Sequence, residues 1–73
     1  MSEVSAEDWI AGFAAAAGAE APDEATVEKL LKLASVAAHS SERKAAPIAC
    51  WIAASAGLDP DRATAIAEGL GGE

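Results

Sequence analysis

Val27-Glu-Lys-Leu-Leu-Lys-Leu-Ala-Ser-Val-Ala-Ala38 decides the fold. Its residues Val27, Leu30, Leu31, Ala34, Ala37 and Ala38 follow the i, i+3, i+4, i+7, i+10, i+11 spacing of one helical stripe. Leu33 and Val36 fall beside the stripe, which predicts a helix buried on more than one face and central to a bundle. Asp23 is placed to cap its start. Glu28 and Lys32 form an i, i+4 pair in the favourable orientation, worth about 0.3 kcal/mol. The spacing predicts a helix over residues 24–39.

Working outward from there, the same signals recur on both sides. Ser5-Ala-Glu-Asp8 has the form of a capping serine followed by first-turn acids. Trp9, Ile10, Phe13, Ala16 and Ala17 then share one stripe, and Gly18 is a stop, giving a helix over 6–17. Ala19 to Pro22 forms a linker. After residue 39 the apolar pattern breaks, and Pro47 belongs in the first turn of a third helix over 47–56, ended by Gly57. Ile48, Trp51, Ile52 and Ser55 define one side of that helix, Cys50 and Ala54 another. Leu58-Asp59-Pro60 combines a staple residue aimed at Ala63, a cap and a first-turn proline, opening a fourth helix over 60–69. The Gly69-Leu-Gly-Gly tail ends it. The expected class is all-α: one domain spanning residues 1–73, a compact bundle of four short helices.

Composition agrees. Alanine supplies over half of the hydrophobic residues, and it is the strongest helix former; β-branched residues are too scattered for strands. A chain of 73 residues buries only about 60% of its unfolded surface, so its core needs efficient packing or self-association. With one cysteine, Cys50, and one histidine, His39, neither an internal disulfide nor a four-ligand zinc site is available. No metal and no cofactor are expected. No run approaches the length of a membrane span, and the acidic start (Glu3, Glu7, Asp8) is unlike a basic targeting segment. These features together point to the cytoplasm.

Charge is uneven. The net charge is −7, which disfavours nucleic acid, whose binding rests on neutralising phosphates. Residues 1–28 carry seven acids and no base. Lys29, Lys32, Arg43 and Lys44 against Glu42 then make a basic island of net +3.

The polar segment from His39 to Lys44 leads into the third helix, where free amides and the helix dipole favour anions. Arg43 and Lys44 add charge there, and Ser40 and Ser41 add hydroxyls. His39, Ser40, Ser41, Arg43 and Lys44 are therefore the candidate contact for a phosphate-bearing ligand or an acidic partner, weighed against an ordinary solvated loop. His39 could act as a base oriented by Glu42, but its only nearby nucleophiles are serines on a local turn, so no catalytic residue is assigned. Cys50 reads as a small buried hydrophobe. Trp9 and Trp51 are core or interface anchors, and an exposed tryptophan marks a protein interface.

Leu30-Leu-Lys-Leu-Ala34, then Val36-Ala-Ala-His39, then Glu42-Arg-Lys-Ala-Ala-Pro47 resembles a small actinobacterial helical domain family of unknown function. Trp9 and the alanine-rich stretch after Pro47 extend the resemblance over most of the chain. Members of that family occur alone or fused to the nucleotidyltransferase that adds GMP to molybdopterin. The resemblance implies an accessory role in molybdenum-cofactor maturation and assigns no reaction. By position, the family's pattern falls on His39, Arg43, Ala45, Ala46 and Pro47; Lys44 stands where proline is common, which leaves the loop less rigid.

The sequence thus predicts a non-catalytic binding module contacting the nucleotidyltransferase or a phosphate-bearing ligand through residues 39–47. A self-associating homodimer built on Trp9 and Trp51 is the alternative, and an enzyme using His39 the residual reading.

Overall fold

The computed structural model describes residues 4–70, which fold as α1 (Ala6–Ala17), α2 (Glu24–Ser40), α3 (Ala45–Ala56) and α4 (Pro60–Leu70). The four helices and their order are those the spacing predicts, and no strand occurs among the described residues. Glu3 and the Gly71-Gly72 part of the terminating tail lie outside them, while Gly69, expected to begin that tail, lies within α4. The largest boundary difference is at α3, which starts two residues before Pro47. Proline is still within the first turn there, where its missing N–H has no helical acceptor to lose.

The caps explain the other boundaries. Ser5 Oγ accepts from the amide of Asp8 at 3.0 Å, Asp23 Oδ1 from Thr26 at 2.8 Å and Asp59 Oδ1 from Arg62 at 2.8 Å. Each satisfies an amide with no partner inside its helix. At the other ends, Gly18 and Gly57 turn left-handed at φ 76° and 74°. The following amides, of Ala19 and Leu58, then reach back to Ala14 and Ala53 at 2.8 and 3.0 Å, closing Schellman-type caps.

Helix α2 is the central element and packs against both α3 and α4. Its inward line differs from the one read off the sequence. Leu33 and Ala37 are buried, while Leu31 is 64% exposed. Flanked by α3 and α4, α2 turns the Leu30, Leu33, Ala37 line inward, so Leu31 rotates to the flank beside α1. Leu33 is the one large side chain fully buried among the described residues. It clusters with Ala53 of α3 and Ala63 of α4, with Cys50, Leu58 and Ala67 packed around. Leu58, the expected staple, thus joins the Ala63 cluster. Burying a leucine contributes about 1.5–3 kcal/mol. The expected Glu28–Lys32 pair is not formed within 4 Å; instead Lys29 Nζ reaches Asp61 Oδ2 of α4 at 3.2 Å. Both groups are well exposed, so the bridge contributes at most about 1 kcal/mol.

Helix α1 buries no residue. Between it and the start of α2 lies an open cleft of about 410 Å³, walled by Ile10, Pro22, Val27 and Leu31 with Glu7 and Glu24 at its rim. The molecule is 19 Å across its thinnest dimension, about two helix diameters. Every helix therefore keeps an outer face, and what those faces carry decides what the domain does.

Candidate functional site

Helix α3 is apolar on both sides, but unequally. Its inner side is made of small residues: Ala53 is buried, and Ala46, Ala49 and Cys50 are half-buried. Small side chains let α3 lie close against α2, near enough for Cys50 Sγ to approach the Leu30 carbonyl at 4.0 Å. The large apolar residues face the other way. Ile48, Trp51 and Ile52 are 57%, 70% and 54% exposed. A helix of a free-standing domain normally turns its large apolar stripe to the core, so α3 is inverted.

Lys44, Ile48, Trp51 and Ser55 follow one another at i, i+4, i+7 and i+11 and so share a face. That face runs directly into the polar segment above it. Arg43 and Lys44 are exposed, and Lys44 Nζ lies 3.8 Å from Glu42 Oε1. The site is therefore a continuous strip: cationic at the α3 entry, aromatic and branched-aliphatic below.

Main-chain donors are less available at the α3 entry than the sequence suggests. The amide of Ala45 donates to the Glu42 carbonyl at 2.9 Å and that of Ala46 to the Arg43 carbonyl at 3.1 Å. Pro47 has no amide hydrogen. An anion at this helix end would rest on the side chains of Arg43, Lys44, Ser40 and Ser41, all exposed. Lys44 occupies the cap position without a side-chain capping bond.

His39 is exposed at the end of α2. Its Nδ1 lies 3.3 Å from Ser35 Oγ, one helical turn back, a pairing the sequence reading missed although i, i+4 spacing signals it. Glu42, the expected orienting acid, pairs with Lys44 instead. Ser41 ends α2 through its amide, which donates to the Ala37 carbonyl at 3.1 Å. No hydrogen bond joins His39 to Ser40 or Ser41 among the described residues. Neither a metal-holding cluster of three or more His, Cys, Asp or Glu residues nor an unpartnered buried side-chain polar atom occurs among them.

The two tryptophans are both on the surface and on different helices. Trp9 is 59% exposed and stacks on Phe13, a partner visible in the sequence as the i+4 neighbour. Ile48 and Ile52 were legible as one side of α3; which side faced solvent was not.

The chain belongs to a family described as a domain of unknown function, DUF6457, whose model matches residues 1–71. No curated protein and no solved structure matches it. No described helix is long and apolar enough to cross a membrane.

Proposed function

We propose that this domain is a non-catalytic accessory module that docks a protein partner on the outward face of α3. The observation that carries this reading is the inversion of α3. Alanines fill its packed side while Ile48, Trp51 and Ile52 stand in solvent. Tryptophan dominates binding energy where it is buried at the centre of an interface, surrounded by contacts that exclude water. Arg43 and Lys44 at the top of the strip favour a partner with carboxylates beside its apolar patch, which fixes orientation and speeds encounter.

A protein partner is favoured over a free phosphate ligand, because the Ala45 and Ala46 amides are already engaged and exposed cations alone hold an anion weakly. The family resemblance supplies a partner: the nucleotidyltransferase that adds GMP to molybdopterin. Relatives fused to that enzyme would hold the two at high effective concentration.

Calorimetric titration of the domain into that nucleotidyltransferase tests the reading. Trp51→Ala should weaken binding by about 2 kcal/mol or more, roughly 30-fold, as expected of a central aromatic anchor. Arg43→Ala with Lys44→Ala should weaken it less and chiefly through the association rate. Wild-type affinity in the Trp51→Ala protein would overturn the assignment of this face.

A further inference from the structure

A second apolar surface lies on the opposite flank of α3 from Cys50, and it is concave. Between α3 and α4 runs a groove of about 200 Å³ with Leu33, Ala53 and Ala63 on its floor and Ile52, Ile66 and Leu70 on its walls. No charged residue lines it. The convex counterpart is on α1: Trp9 and Phe13 are stacked, with centroids 5.2 Å apart, and form a ridge 59% and 61% exposed.

We propose that two copies of this chain form a reciprocal dimer in which the Trp9–Phe13 ridge of each enters the α3–α4 groove of the other. Surface area argues for a partner of this size. The accessible surface is 5653 Å², whereas a folded monomer of 7.3 kDa exposes about 4,200 Å². Even fully extended, the six end residues would account for only about 900 Å². The described residues alone, about 6.7 kDa, should expose about 3,900 Å², so roughly 800 Å² remains, about one side of a standard interface.

Charge selects the pairing. Residues 1–28 carry seven acids and no base, so packing α1 on α1 would set Glu7 and Asp8 of both copies together. Packing α1 into the uncharged groove avoids that, and residues 29–73 balance five bases against five acids. In the proposed pairing each copy gives its ridge to, and receives one from, the same partner, so a two-fold axis relates them and the assembly closes as a dimer. Ile48 and Trp51 do not line the groove, whereas Ile52 is one of its walls, so the dimer takes up Ile52 and leaves Ile48 and Trp51 as a partner face on each copy.

Sedimentation equilibrium of the full chain should give twice the 7.3 kDa monomer mass. Trp9→Ala with Phe13→Ala, and separately Ile66→Glu, should each give the monomer mass with helical circular dichroism retained. Should Ile66→Glu fail to fold, Leu70→Glu replaces it, since Leu70 is 83% exposed. Mixing the ridge variant with the groove variant should restore a weaker heterodimer through its one intact contact. A monomeric wild type at millimolar concentration, or a dimer that survives either variant, would overturn the proposal. Trp51→Ala should leave the dimer intact, which separates this outcome from that of partner binding.

Discussion

Trp9 and Phe13 lie ring on ring, 5.2 Å between centroids and 9° between planes, on the outer side of a helix that buries nothing. Such stacking adds about 0.5–1.5 kcal/mol beyond area burial, and it couples the two side chains into one aromatic unit. In the dissociated chain, α1 should therefore be the least protected helix. Hydrogen exchange at concentrations too low for association should find the α1 amides fastest and those around Leu33 and Ala37 slowest. Equal protection of α1 and α2 under those conditions would show that α1 packs more tightly than its burial indicates.

Leu33→Ala removes the only large side chain fully buried among the described residues. Its expected cost is about 2–5 kcal/mol, against a total stability of roughly 4–11 kcal/mol for a chain this long. The variant should lose a large share of that stability, read as a lowered denaturant midpoint. A loss below about 1 kcal/mol would mean that the core is not centred on Leu33.

Gly18 and Gly57 share a left-handed conformation, and an added Cβ would meet nothing within 4 Å at either. Alanine at either position carries the same backbone penalty, about 1–2 kcal/mol. The consequences should differ because Gly57 joins two helices that share the core while Gly18 ends the helix that buries nothing. Gly57→Ala should lower the global melting temperature. Gly18→Ala should fray α1 and leave the main transition nearly in place.

The Asp23 carboxyl is held below its ordinary pKa by the bonds it accepts from the side chain and the amide of Thr26. A depressed folded-state value means that this cap stabilises fully above the unfolded value near 3.9 and is lost as pH falls through the folded one. Stability measured by urea titration should fall through this acid range. Asp23→Asn, which still caps, should keep the neutral-pH stability and flatten this part of the slope. An unchanged slope would place the acid sensitivity elsewhere.

The helices were legible because local signals mark them: capping residues at 5, 23 and 59, glycines at 18 and 57, and prolines inside first turns. What the sequence could not supply was rotation. Val27 to Ala38 offers apolar residues nearly all around α2, and only the placement of α3 and α4 decides that Leu33 goes in and Leu31 stays out. The same ambiguity hid the site. In α3, alanine and isoleucine both count as apolar, so periodicity alone cannot say that the small residues pack and the large ones face water. The polar segment was visible as a break in pattern, but that its first two helical amides are engaged follows from a turn geometry the residue types do not specify.

The most direct test of the partner-docking claim is a heteronuclear NMR titration of the labelled domain with the molybdopterin nucleotidyltransferase. Perturbations should cluster on the Trp51 indole and Ile48, extending to Arg43 and Lys44, with Leu33 unmoved. Spectra unchanged at several hundred micromolar enzyme, or shifts confined to His39 and the serines beside it, would contradict it.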